Sequence, residues 1–89
     1  LYTDVWTSMG QEKEMLKRKK AFAKYKVSMN LMKKCCPKAK VMHCLPAHRG
    51  EEIDADVIES SCSIVFDEAE NRLHAQKGIM CALMGKKRA

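Results

Sequence analysis

Several absences narrow the reading before any motif is considered. No apolar run in the 89 residues approaches the roughly 20 that a helical membrane span requires. The opening residues, LYTDVWTSMG, lack the basic and apolar regions of a secretory leader, and they lack an initiator methionine. The chain begins directly on strand-like residues, so a piece of a longer protein is expected. Disulfide spacing is missing as well: Cys35, Cys36, Cys44, Cys62 and Cys81 are odd in number and irregularly placed, with two of them adjacent. Reduced thiols in a cytosol-like compartment are the expectation. Internal repeats and low-complexity tracts are absent too.

What is present suits a small folded chain. With 46% hydrophobic and 31% charged residues, the composition is not that of a disordered segment, and the length allows one domain at most. Positive charge dominates, 17 Lys+Arg against 11 Asp+Glu. It is densest in Lys17-Arg18-Lys19-Lys20, with a second cluster at Lys86-Lys87-Arg88. Phe22 and Tyr25 are the aromatics near the first cluster, and they do not form a stacking platform. A solvated helix face is favoured over a nucleic-acid stripe.

Leu1 to Trp6 reads as a short strand, Thr7 to Gly10 as a turn, and Gln11-Glu12-Lys13-Glu14 as the acidic start of a helix. Met15, Phe22 and Tyr25 suggest a buried stripe on that helix. Val27-Ser28 breaks it, Ser28 caps a second short helix through Met29 to Met32, and Pro37 ends it. Lys40 to Cys44 is the next strand, stopped by Leu45-Pro46. Residues 47–53 form a polar loop, and Asp54 caps a helix over Ala55 to Glu59. Ser63 to Phe66 reads as a third strand. A long helix then follows Asp67-Glu68 to about Met84, with Leu73, Met80, Leu83 and Met84 on one face. Alternating strands and helices predict an α/β fold with a parallel sheet, whose ligands bind beyond the strands' carboxyl ends. Asp4 to Gly10 and His43 to Pro46 both fall there.

The chemistry of these stretches is open when each is read alone. His43 and His48 have a zinc-like spacing, but no cysteine pair completes the set, which disfavours a metal. Cys44 reads as a buried strand cysteine or as a nucleophile, with His43 directed to the opposite face. Asp4, Ser8 and the amides before the helix form a set suited to a zwitterion: carboxylate and hydroxyl for an ammonium, helix N-terminus for a carboxylate. The alternative is a plain cap by Ser8. Arg72 is either an anion clamp or the partner of Glu68 in a surface pair.

Taken together, Tyr2-Thr3-Asp4-Val5-Trp6, Ser8-Met9-Gly10-Gln11-Glu12, Met42 to Glu52 (MHCLPAHRGEE) and Phe66 to Lys77 (FDEAENRLHAQK) resemble the C-terminal part of an ornithine carbamoyltransferase. The resemblance implies the last portion of a doubly wound, Rossmann-like domain, with about three strands and three to four helices. It also implies carbamoyl transfer from carbamoyl phosphate to ornithine, giving citrulline and phosphate, in trimers or multiples of trimers, without cofactor or catalytic metal; the expected compartment is the cytoplasm or, in a eukaryote, an organelle matrix. Asp4, Ser8 and Met9 would hold ornithine. Cys44 would handle the proton of the reacting amine, the carbonyls of Cys44 and Leu45 would bind the carbamoyl NH₂, and Arg72 would contact carbamoyl phosphate. The family's phosphate-binding S-T-R-T segment, part of an N-terminal carbamoyl-phosphate domain, is absent from these 89 residues. Residues 1–89 are therefore expected to be inactive alone. A carbamoyltransferase for putrescine or another amine, and a non-catalytic basic binding module, are the alternatives.

Overall fold

The computed structural model describes residues 1–86, so Lys87 and Arg88 of the second basic cluster lie outside the described residues. Strands β1 (Tyr2–Thr3) and β2 (Met42–His43) pair in parallel, with Tyr2 opposite Met42 and Thr3 opposite His43. Among the described residues four α-helices accompany them: α1 (Met15–Phe22), α2 (Met29–Lys34), α3 (Ala55–Ile58) and α4 (Val65–Met84). Short 3₁₀ turns at Glu12–Glu14 and Ala23–Tyr25 flank α1. The α/β class and its parallel pairing are as expected; the strands are shorter.

The third strand is corrected. Ser63 makes a single parallel bridge to Val41, after which Val65 already opens α4. The Val41 N–H donates to the Cys62 carbonyl at 2.8 Å, and the Ile64 N–H donates back to Val41 at 3.0 Å. The β-branched Ile64 and Val65 imitate a strand, yet Asp67 and Glu68 supply the negative charge that a helix N-terminus favours, and the helix wins.

Buried apolar side chains come from short elements, isolated bridges and the first residue of α4: Val27, Met32, Val41, Ile53, Val57, Ile58 and Val65. Ile53 and Val41 are wholly inaccessible, each worth about 1.5–3 kcal/mol against full exposure. Val27 and Ile53 are locked by backbone bonds, Val27 N–H to the Glu52 carbonyl at 2.9 Å and Asp54 N–H to the Val27 carbonyl at 3.0 Å. Ser28 caps α2 as expected, its Oγ accepting the Leu31 N–H at 3.2 Å. Asp54 stands at the N-terminus of α3, but its carboxylate pairs with Lys26 at 3.0 Å instead of capping.

Two expected apolar stripes do not bury. Met15, Phe22 and Tyr25 are exposed; Phe22 packs its ring near Trp6 and Tyr25, with centroids 6.0 and 6.3 Å away. Leu73, Met80, Leu83 and Met84 are also exposed, and Val65 is the one buried residue of α4 among those described. The radius of gyration, 17.0 Å, exceeds the about 12 Å of an independent domain of this length. A helix stripe buries only where something packs on it, and α4 extends past the small core.

Candidate active site

The parallel pairing of β1 and β2 sets their carboxyl ends side by side, which brings Asp4 to Cys44. The Cys44 Sγ donates to Asp4 Oδ1 at 3.2 Å, and the Val5 N–H donates to the same oxygen at 2.7 Å. These donors, the thiol first, hold Asp4 below the ordinary carboxylate value. The reverse acts on Cys44: its hydrogen bond to Asp4, then burial, then the Asp4 charge push the thiol up. Cys44 is thus a protonated thiol here. It is exposed, which corrects the buried-cysteine reading, because its strand ends at His43.

Glu68, in the first turn of α4, ties the two strand ends together. Its Oε1 accepts the His43 N–H at 3.0 Å, and its Oε2 accepts the Tyr2 hydroxyl. That hydrogen bond is the main reason the Tyr2 phenol is pushed up to about 12. Glu68 therefore does not pair with Arg72, and no ion pair of Arg72 occurs among the described residues. Arg72 lies one turn further along α4 and, with Tyr2, Cys44, Glu68 and Asn71, lines an open cleft of about 680 Å³.

Beside Cys44 in sequence begins a buried polar pair that the sequence did not reveal. His43 and Glu52 are both wholly inaccessible, with His43 Nε2 2.7 Å from Glu52 Oε1. The same oxygen accepts the His48 N–H at 2.8 Å. The Leu45 N–H donates to His43 Nδ1 at 2.8 Å, so Nδ1 carries no proton and Nε2–H is the donor to Glu52. Leu45 sits at φ 54°, a left-handed conformation that costs a non-glycine residue about 1–3 kcal/mol. The Leu45–Pro46 peptide bond is cis. Residues 47–53, expected to be a mere polar loop, thus supply a buried anchor; an acidic letter beside Ile53 is too weak a signal to have found it.

Ser8 and Met9 fall elsewhere. They line a second cleft of about 330 Å³ with Thr7, Glu12, Met15, His48 and Glu51, and Met9 is 96% exposed. Ser8 caps nothing through its hydroxyl: its carbonyl accepts the Gln11 N–H at 3.0 Å, and its N–H donates to Gln11 Oε1 at 3.4 Å. The Gly10 N–H donates to Glu12 Oε1 at 3.0 Å, holding Glu12 below its ordinary value. Two N–H groups suited to a substrate carboxylate thus already face side-chain oxygens. Gly10, at φ 89°, needs glycine for this backbone conformation and not for space.

Metal-ligand types cluster twice among the described residues, as Asp4, His43 and Cys44, and as His48, Glu51 and Glu52. In the first, both His43 nitrogens are committed, to Glu52 and Leu45. In the second, Glu51 is paired with Lys19 at 2.8 Å and Glu52 takes two N–H donors. No helix of the described residues is long and apolar enough to cross a membrane.

Known proteins resemble this chain over nearly its whole length. The family model for the aspartate/ornithine carbamoyltransferase Asp/Orn binding domain matches residues 1–83. An ornithine carbamoyltransferase of Symbiobacterium thermophilum is 63% identical over 84 residues, 94% of this chain and 27% of that protein. Its counterpart in Archaeoglobus fulgidus is 63% identical over 86 residues, 97% of this chain and 28% of that protein. The solved ornithine carbamoyltransferase from Pyrococcus furiosus superposes with a TM-score of 0.85 at 54% identity, covering 98% of this chain and 28% of that one. The chain therefore spans just over a quarter of these relatives' length, and it belongs to the aspartate/ornithine carbamoyltransferase family.

Proposed function

We propose that residues 1–89 form the C-terminal part of the ornithine-binding domain of an ornithine carbamoyltransferase. The complete protein transfers the carbamoyl group of carbamoyl phosphate to the side-chain amine of L-ornithine, giving citrulline and phosphate. The observation that carries this reading is the Asp4–Cys44 contact at adjacent strand ends, with Arg72 lining the same cleft as Cys44. Asp4 is a carboxylate ready for an ammonium, and Arg72, without an ion pair among the described residues, suits an anionic phosphate.

The reacting amine enters as an ammonium and must lose a proton before its lone pair attacks the carbamoyl carbon and phosphate leaves. Cys44 in its thiol form cannot take that proton. A cation that engages Asp4 weakens the carboxylate's grip on the thiol and favours loss of the thiol proton to solvent, which leaves a Cys44 thiolate able to accept the amine's proton. Leu45 and Cys44 carbonyls then face the carbamoyl NH₂. Ser8 and Met9, in the second cleft, hold the amino-acid end of ornithine, whose carboxylate displaces the Gln11 and Glu12 oxygens from the Ser8 and Gly10 amides. The reaction requires no cofactor, and alignment of the two substrates supplies much of the acceleration.

The complete enzyme is a trimer or multiple of trimers in the cytoplasm or, in a eukaryote, an organelle matrix, and the 89-residue chain alone is inactive because carbamoyl phosphate binding also needs the S-T-R-T segment. Assay of the full-length protein with carbamoyl phosphate and either ornithine or putrescine tests the reading. Citrulline formation with ornithine supports it, and a strong putrescine preference refutes the substrate assignment. Salt-sensitive DNA binding without carbamoyl transfer points to the basic binding module instead.

A further inference from the structure

We propose that His43 and Glu52 are positioning residues that hold the Cys44–Leu45 turn in its working geometry. Cys44 lies between two pinned amides. On one side the His43 N–H is held by Glu68 Oε1 at 3.0 Å, and on the other the Leu45 N–H is held by His43 Nδ1 at 2.8 Å. The second bond works only if Nδ1 is unprotonated, and Glu52 secures this by accepting from Nε2 at 2.7 Å. Glu52 also grips the far end of the turn through the His48 N–H at 2.8 Å. One buried carboxylate thereby sets the ring's tautomer, the ring holds Leu45 at φ 54°, and that backbone aims the Leu45 carbonyl and the Cys44 thiol. The burial supports the assignment. Wholly inaccessible His43 and Glu52 are polar groups where an apolar pair would pack at less desolvation cost, so their hydrogen bonds are what the site retains.

The catalytic consequence rests on the proposed carbamoyl transfer, in which the Leu45 carbonyl receives the carbamoyl NH₂. The test uses the full-length protein as wild type, His43→Asn and His43→Leu. Asn presents Oδ1 near the place of Nδ1 and can accept the Leu45 N–H, whereas Leu fills the buried space without an acceptor. Both variants lose the contact to Glu52 equally, so their difference isolates the Leu45 bond. His43→Leu is expected to lose about 100-fold in kcat/KM for carbamoyl phosphate, the loss typical of a misplaced reacting geometry. His43→Asn is expected to recover at least about tenfold of that loss, with the ornithine KM little changed in both. Wild-type activity in His43→Leu, or equal losses in the two variants, overturns the inference. Should His43→Leu fail to fold, hydrogen–deuterium exchange at the wild-type Leu45 amide decides. Exchange about 100-fold slower than a free amide supports the relay, and free exchange overturns it. A wild type that forms no citrulline defeats the functional reading instead, and Leu45 exchange still tests the relay.

Discussion

Replacing Glu52 separates the value of its charge from that of its shape. Glu52→Ala leaves the His43 Nε2–H, wholly buried, without an acceptor, which costs about 1–3 kcal/mol. It also removes the bond from the His48 N–H, in a part-buried position that water can reach, for about 0.5–1.5 kcal/mol. The expected loss is about 1.5–4.5 kcal/mol before any cavity contribution. Glu52→Gln keeps an oxygen for both donors, but a neutral one, and places an amide at Oε2, a buried atom with no hydrogen-bond partner among the described residues. Its expected loss is about 1–3 kcal/mol. Urea unfolding of the full-length protein and both variants, followed by circular dichroism, measures the difference. Losses below about 0.5 kcal/mol in Glu52→Ala, the level of a plain surface change, refute the reasoning.

Further tests address the cleft. Near-ultraviolet titration should show one tyrosine ionising at about 12, and Glu68→Gln should bring it down toward the ordinary 10.0. Because the neutral phenol is the form stabilised, this contribution is intact below about 10 and is lost as pH rises through about 12. Asp4→Asn should speed alkylation of Cys44 at pH values below the thiol's own, since the carboxylate that pushes it up is gone; an unchanged or slower rate contradicts the pairing. Cys44→Ser in the full-length protein should lower kcat about 100-fold or more while leaving the ornithine KM nearly intact, and an unaltered rate removes Cys44 from the chemistry. Arg72→Ala should raise the carbamoyl phosphate KM about 10–100-fold, the equivalent of one charged hydrogen bond, and unaltered kinetics refute the clamp.

The sequence displayed some of this design and concealed the rest for physical reasons. Asp4 and Cys44 were legible because proline and turn residues end strands, and parallel strands bring their carboxyl ends together. Ser28 was legible because capping is local. Ser63 to Phe66 was misread because β-branched residues suit a strand and a buried first helical turn alike, and only the contact with Val41 decides. Met15 and Phe22 fall on α1 and the second stripe on α4, while Tyr25 falls in the following 3₁₀ turn; burial depends on what packs there, which periodicity cannot supply. Strand alternation turns His43 away from Cys44, yet one of its ring nitrogens comes within 4.8 Å of the Cys44 Sγ, and its partner nine residues later belongs to no motif spacing. Long-range polar pairs such as Glu52 with His43, or Tyr2 with Glu68, appear only once the chain has folded.

One measurement bears most directly on the function of this chain: citrulline formation by the full-length protein supplied with carbamoyl phosphate and ornithine, beside an identical reaction with putrescine. Citrulline accumulating with ornithine, and little carbamoylated product with putrescine, is the predicted result. Preferential carbamoylation of putrescine, or no carbamoyl transfer to either amine by the folded protein, contradicts it.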